Sequence, residues 1–232
     1  MQKNKEIIEL TILMPCLNEE MNVADSIHAA QKFITTNQII GEILLVDNGS
    51  SDQSATIAQN LGACVISEMN KGYGNAVRCG IQNARGRYTI LGDCDTTYDF
   101  ENLSPFLDAL RNGNSLVVGN RFAGGIAKDA MPFSHRYIGV PFLSWLGRKH
   151  YKVNLHDFHC GLRGFHTLQA KKLNLKSEGM EFATELIARF ADSNLPIVEV
   201  PTTLSVSKYP RRSHLCTIRD GFRHLMYILK KH

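Results

Sequence analysis

Asp93 and Asp95 stand one residue apart in Gly92-Asp93-Cys94-Asp95, a spacing that lets two carboxylates grip a hard divalent ion without enclosing it. Mg²⁺ keeps several waters and takes one or two carboxylates together with the phosphates of a substrate. Alone, such a pair is equally well explained by a turn, because Asp side chains hydrogen-bond their own backbone. Two further polar clusters change the balance: Pro15-Cys16-Leu17-Asn18-Glu19 and Asp47-Asn48-Gly49-Ser50-Ser51-Asp52. Each of the three follows a short run of aliphatic or β-branched residues. Several other chemistries are excluded by their motifs. No G-x-x-x-x-G-K-[ST] occurs, and Gly72-Tyr73-Gly74 continues as Asn75-Ala76-Val77, without the third glycine of a dinucleotide fingerprint. H-E-x-x-H and G-x-S-x-G are absent, and His156-Asp157-Phe158-His159-Cys160 lacks the matching second pair of a metal cluster.

Those clusters need elements that bring them to one place. Strands are expected at 9–14, 42–47, 63–67, 87–91 and 115–119, and helices at 19–34, 51–61, 74–84 and 102–110. Asn102 or Ser104 would cap the last helix and Gly113 would stop it. Strands alternating with amphipathic helices predict an α/β fold with a mainly parallel sheet flanked by helices. In an open sheet of that kind the ligand lies beyond the carboxyl ends of the strands, where all three clusters fall. No repeat or Pro/Gly/Ser-rich linker divides the 232 residues, so a single domain is expected.

Composition bounds the rest. With 44% hydrophobic and 21% charged residues, 18 Gly and 7 Pro, the chain is neither disordered nor collagenous. No apolar stretch approaches the length of a membrane span, and the polar N-terminus lacks the apolar core of a secretory signal. A cytoplasmic location is the expectation. The 6 cysteines form no C-x-x-C pair and read as small buried hydrophobes, not as a zinc or disulfide framework.

The net charge of +4 is concentrated at the C-terminus, where Lys208, Arg211, Arg212, Arg219, Arg223, Lys230 and Lys231 face Asp220 alone. That block suits an anionic partner. Nucleic acid is disfavoured, since Tyr209, Phe222 and Tyr227 are not interleaved as a stacking platform. Leu215, Ile218, Phe222, Leu225, Met226 and Leu229 recur at helical spacing, and core packing is the default reading of that face, with membrane contact as the alternative. Residues 137–146 are uncharged between Arg136 and Arg148. They fit either a helix lying at a membrane surface or a buried helix interrupted by Pro141.

Taken together, Pro15-x-x-Asn18-Glu19, Asp47-Asn48-Gly49-Ser50-Ser51-Asp52, Asn70-Lys71-Gly72-x-Gly74, Asp93-x-Asp95, Gly119-Asn120-Arg121 and Asp157-x-x-Cys160-Gly161-x-Arg163 resemble, in order, the inverting family-2 glycosyltransferases of GT-A (Rossmann-like) fold. They look most like the polyprenyl-phosphate (dolichyl-phosphate) hexosyltransferases, from about residue 9 to 228. The resemblance implies a nucleotide-sugar half over 9–120 and an acceptor half over 121–232 with a basic amphipathic C-terminal helix. It implies that Pro15, Leu17, Asn18, Glu19, Asp47, Asn48, Lys71 and Asp93 bind a UDP- or GDP-hexose. Asp93 and Asp95 would hold Mg²⁺ or Mn²⁺. Arg121, Arg136, Arg163, Arg211 and Arg212 would meet the acceptor phosphate, with Asp157, Asp95 and Glu181 as catalytic carboxylates. Thr96 and Thr97 stand where many members carry another acidic residue or Gln, which implies a weaker metal or one whose shell water completes.

The implied reaction is inverting hexose transfer to a polyprenyl phosphate by a peripheral enzyme on the cytoplasmic membrane face. The alternatives are a soluble family-2 enzyme with a hydroxyl acceptor and a nucleotide-sugar binder without turnover. An acceptor phosphate, with a second pKa near 6 in the analogous phosphoserine, needs no strong base, whereas a hydroxyl needs a carboxylate within reach of its proton. Asp157→Asn is therefore expected to lower transfer little with a phosphate acceptor and by orders of magnitude with a hydroxyl one, a contrast read from transfer rates to the two acceptors.

Overall fold

Strand β1 (Leu10–Cys16) is buried along its whole length, as a strand covered by helices on both faces must be. Around it the computed structural model, which describes residues 7–209 and 217–230, builds a 7-stranded sheet in the order β3-β2-β1-β4-β6-β5-β7. The other strands are β2 (Gly41–Asp47), β3 (Cys64–Ser67), β4 (Tyr88–Leu91), β5 (Leu116–Asn120), β6 (Arg163–His166) and β7 (Ile197–Pro201). All neighbours are parallel except β6, which runs antiparallel to both β4 and β5. The helices α1 (Val23–Thr36), α2 (Ser54–Asn60), α3 (Tyr73–Asn83) and α4 (Ser104–Arg111) connect the first strands. They occupy the expected places with shifted ends. Neither Asn102 nor Ser104 caps α4: Leu103 holds the cap position, Pro105 enters the first turn, and Asn102 instead donates to Asp99 at 2.5 Å.

The second half holds what the pattern did not give. After α5 (Arg121–Gly124), a π-helical turn (His135–Gly139) runs into α6 (Val140–Tyr151), followed by α7 (Thr167–Lys172), α8 (Phe182–Asp192) and α9 (Thr217–Leu229). Pro141 lies in the first turn of α6, where a missing N–H is tolerated, so the expected interruption does not occur. Nor is the helix buried. Its inward face is made of Ser144 and Gly147, which receive the Phe158 backbone and ring, while Tyr137, Ile138, Phe142 and Trp145 point outward at 58%, 63%, 51% and 44% exposure.

The C-terminal helix is likewise rotated against the default reading. Phe222, Met226 and Leu229 are exposed, whereas Asp220, His224 and Ile228 form the buried face. His224 Nδ1 lies 2.8 Å from the Thr184 hydroxyl of α8, and its ring meets His159 edge-on at 4.4 Å between centroids. Burial, with Arg163 nearby, pushes the His224 imidazole down to about 4 despite Glu181 and Asp220. Burial and the neighbouring His224 hold His159 well below its ordinary value. Both rings are neutral in the fold and would take up protons on unfolding below about pH 6.5. Stability is thus complete above that pH and falls by up to about 1.4 kcal/mol per unit for each ring as the pH drops toward 4. Urea unfolding at pH 7, 6 and 5 should show this slope, and His224→Gln should flatten it; an unchanged slope would refute the assignment.

Candidate active site

The first two polar clusters meet at the carboxyl edge of the sheet because β1 and β2 pair in register up to Cys16 and Asp47. Asn18 takes a left-handed φ of 55°, a conformation Asn tolerates, and its Oδ1 accepts from the Ser51 N–H at 2.8 Å while its own N–H donates to Ser50 Oγ at 2.9 Å. Glu19 is buried and held by Asn22 at 2.9 Å. Asp47 Oδ1 receives the Ser50 N–H, and Asn48 ties β2 to the next loop by donating to Glu68 O and Asn70 O and accepting from the Gly72 N–H at 2.7 Å. Lys71 lies exposed on that loop. Pro15 is buried at the end of β1 beneath the cluster, with Leu17 partly buried beyond it.

Asp93 and Asp95 follow β4 on the same edge. The Tyr73 phenol hydrogen-bonds Asp93, and burial together with that carboxylate keeps its pKa well above the usual value, so it remains a donor. Thr97 donates to Asp95 Oδ1 through its N–H at 3.0 Å and its hydroxyl at 2.5 Å. Between them Thr96 adopts a φ of 62°, which a β-branched residue does only when its surroundings force it. Its hydroxyl is clamped by Asn22 and the Lys208 N–H. Among the described residues no group of three or more His, Cys, Asp or Glu is arranged to hold a metal ion by itself. With Asp95 Oδ1 taken by Thr97, the two carboxylates are of the kind that holds a hard divalent ion only when water and a substrate supply most of its ligands.

The acceptor-side expectations change most. Arg121 and Asp157 are both buried and form a bidentate pair, Nε–Oδ2 at 2.7 Å and Nη2–Oδ1 at 2.8 Å, with the Arg121 backbone N–H donating to Oδ2 at 3.1 Å. Asp157, at 0% exposure, has both oxygens engaged and is not placed to take a proton from a substrate. Asp157→Asn would therefore also break a buried ion pair whatever the acceptor, so the stability of the variant has to be measured beside its transfer rates. Arg163 does not reach a surface either: at 1% exposure it donates to the carbonyls of Cys160, Phe158 and Ala183. It is an internal brace joining the 157–161 loop to α8. Glu181, at the start of α8, pairs with Arg223 at 2.7 Å. Arg136 lies partly buried in the π-helical turn, over the Tyr137 ring. Arg211, Arg212 and Cys216 lie outside the described residues.

Three contacts absent from the motif reading join the two sides. Gly72, with φ 138°, and Gly74 lie so close to the Glu178 and Ser177 carbonyls that a Cβ would stand 2.3 and 2.2 Å from them, and the Gly74 N–H donates to Glu178 O. Glu185, almost fully buried, accepts the Lys176 and Ser177 N–H groups and shapes the same segment. Tyr98 accepts the Gly161 N–H at 2.8 Å beside Asp93. Only the spacing of the two glycines was visible as a signal. The cysteine reading holds for Cys16, Cys94 and Cys160, while Cys64 is exposed and Cys79 partly so; these five are free thiols.

The model of the family described as "Glycosyl transferase family 2" matches residues 11–173. A low-salt glycan biosynthesis hexosyltransferase, Agl6, of Haloferax volcanii is 35% identical over 223 residues, covering 95% of this chain, which spans 53% of that protein's length. The dolichyl-phosphate hexose transferase of the same organism is 31% identical over 193 residues, with 83% of this chain and 81% of that one covered. Among solved structures, glucosyl-3-phosphoglycerate synthase from Mycobacterium tuberculosis in complex with phosphoglyceric acid superposes with a TM-score of 0.73 at 18% identity, covering 95% of this chain and 79% of that one. The same enzyme in complex with Mn²⁺, uridine diphosphate and glucosyl-3-phosphoglycerate gives 0.66 at 17% identity, with 87% and 73% covered. At such identities the likeness is one of fold, the GT-A architecture.

Removing one partner of a buried pair leaves a desolvated charge, so Arg121→Met or Asp157→Leu should each lose about 3–5 kcal/mol of stability, and the two together should recover most of it. Urea denaturation of the three variants checks this; two single losses that simply add would refute the pairing.

Proposed function

The chain belongs to glycosyl transferase family 2, and on that premise we propose that it transfers a hexose from a UDP- or GDP-linked donor to a polyprenyl phosphate presented at a membrane surface. The observation that carries the acceptor assignment is that Asp157 and Glu181, the two acceptor-side carboxylates, are each paired with an arginine. Asp157, with both oxygens engaged by Arg121, is not set to deprotonate a hydroxyl, and Glu181 is tied to Arg223 through Oε1, its Oε2 buried without a hydrogen-bond partner among the described residues; a phosphate, with a second pKa near 6 in the analogous phosphoserine, arrives already ionised. The outward aromatic face of the π-helical turn and α6 supports the membrane. Phe133, Tyr137, Ile138, Phe142 and Trp145 are exposed there, with Arg136 over Tyr137 and Lys149 over Trp145, an apolar face edged by cations of the kind that seats in an anionic interface. The name of the dolichyl-phosphate hexose transferase relative points the same way. No helix among the described residues is long and apolar enough to cross a membrane.

In this reading the segment 9–120 binds the donor and 121–232 the acceptor. Pro15, Leu17, Asn18 and Glu19 line the nucleotide pocket, Asp47 and Asn48 flank the base, and exposed Lys71 reaches the phosphates. Asp93, oriented by Tyr73, faces the ribose or sugar, and Asp95, oriented by Thr97, is the principal metal ligand with Asp93 beside it. Mg²⁺ or Mn²⁺ bound there would neutralise the charge that develops on the departing diphosphate. Arg136, with Arg211 and Arg212, attracts the acceptor phosphate. The Arg121–Asp157 pair walls the acceptor side. The phosphate oxygen then attacks the anomeric carbon from the face opposite the diphosphate, inverting the centre.

Two measurements test the proposal. A single nucleotide, UDP or GDP, should raise the thermal midpoint in Mn²⁺ but not in EDTA, since a ligand at 100 times its Kd adds about 2.7 kcal/mol. Labelled hexose should pass to a short polyprenyl phosphate in anionic vesicles, with the enzyme co-floating, and Phe142→Ser with Trp145→Ser should abolish co-flotation while leaving the nucleotide shift intact. Transfer to glycerol phosphates or sugars but not to polyprenyl phosphate would overturn the acceptor assignment.

A further inference from the structure

Glu199 belongs to none of the motifs and sits on the edge strand β7, yet its carboxylate reaches the residues that precede both members of the buried pair. Oε1 accepts from Asn120 Nδ2 at 3.0 Å and lies 2.6 Å from His156 Nδ1; Oε2 accepts the His156 backbone N–H at 2.6 Å. Asn120 precedes Arg121, and His156 precedes Asp157. Asn120 is itself fixed on other sides, its Oδ1 accepting the Ala123 N–H at 3.0 Å and its carbonyl the Thr202 N–H at 3.1 Å. One carboxylate thus joins the C-terminal end of β5 to the start of the 156–161 loop.

We propose that Glu199 is a positioning residue for the Arg121–Asp157 pair and, through it, for the acceptor side of the site, an inference that rests on the function proposed above. The chemistry of the side chain argues for this role. An ionised carboxylate only accepts hydrogen bonds, so it serves the Asn120 amide, the His156 ring and the His156 N–H together. Glutamine would turn an NH₂ group toward at least one of those donors, and aspartate is one methylene too short to span both segments. The rest of the loop has separate supports, because Phe158 N–H donates to Ser144 Oγ and Arg148 donates to Leu155 O. Loss of Glu199 therefore loosens the approach of the two segments without unfolding the loop.

The test uses Glu199→Gln and His156→Ala in the full chain, with Glu9→Gln, whose carboxylate pairs with the surface Arg111, as a control. The first readout is hydrogen exchange at the Arg121 side-chain Nε–H by ¹⁵N NMR, referenced to the Arg163 Nε–H. Exchange should quicken by about tenfold in Glu199→Gln and by less in His156→Ala, as local opening is made easier, with the control unchanged. The second readout is steady-state transfer, where the acceptor KM should rise by about tenfold while the donor KM stays within about twofold, the mark of a displaced acceptor wall. Unchanged Arg121 exchange, or donor and acceptor KM rising together, would overturn the proposal and leave Glu199 as an edge-strand contact only. If the wild-type protein transfers no hexose to polyprenyl phosphate, the functional reading fails, and the Arg121 exchange decides the role of Glu199 alone.

Discussion

A charge removed from water must be matched, and in this molecule that constraint is concentrated at Arg121 and Asp157. Each loses far more hydration than a surface ion pair does, and only a bidentate partner with further hydrogen bonds offsets that loss. The pair supplies them: the Arg121 backbone N–H also donates to Asp157, and the His159 N–H adds a longer contact at 3.4 Å. Desolvation alone would weaken the guanidinium's hold on its proton, but the Asp157 carboxylate reverses that and keeps it charged. The end of β5, the 157–161 loop and the inner face of α6 are consequently bound to one geometry.

The two sides of the candidate site, donor and acceptor in the proposed reading, are joined by contacts that leave little freedom between them. Close backbone approach at Gly72 and Gly74 seats the Lys71 loop on the segment leading to Glu181, while Tyr73 hydrogen-bonds Asp93 and Tyr98 lies beside it at Gly161. Such coupling suits a reaction in which two substrates must meet in line, because most of the gain from holding reactants together depends on how little they can move. Arg163 extends the same frame into α8 through three carbonyls.

Outside that frame, α6 and α9 present apolar side chains to solvent. Their inward faces are mostly small or polar: Ser144 and Gly147 on one helix, Asp220 and His224 beside Ile228 on the other. Small residues let α6 approach the Phe158 loop closely, and the polar residues of α9 find Thr184 and each other's neighbours within the fold. Phe142 and Trp145 of α6 and Phe222, Met226 and Leu229 of α9 are left outward. An exposed aromatic patch of this kind marks an interaction surface more often than chance.

The first half of the molecule was legible because local rules and tertiary demands agree there. Aliphatic runs such as Leu10–Cys16 and 43–47, alternating with amphipathic ones, read as buried parallel strands, and the polar residues after them then lie at one sheet edge. That determined the α/β architecture and the convergence of Asn18, Asp47, Asp93 and Asp95. The second half was not legible, since β6 is four residues containing Arg and Gly, which no periodicity distinguishes from a loop, and its antiparallel pairing is chosen by β4 and β5. Which way an amphipathic helix turns its apolar face is likewise decided by the neighbour that receives it, so α6 and α9 could not be oriented from spacing alone. Whether an arginine meets a ligand or a buried carboxylate depends on partners tens of residues away: Arg121 needed Asp157, and their chain neighbours Asn120 and His156 share Glu199. The sequence determined which residues gather at the sheet edge; only the tertiary structure decided which of their charges are already matched within the protein.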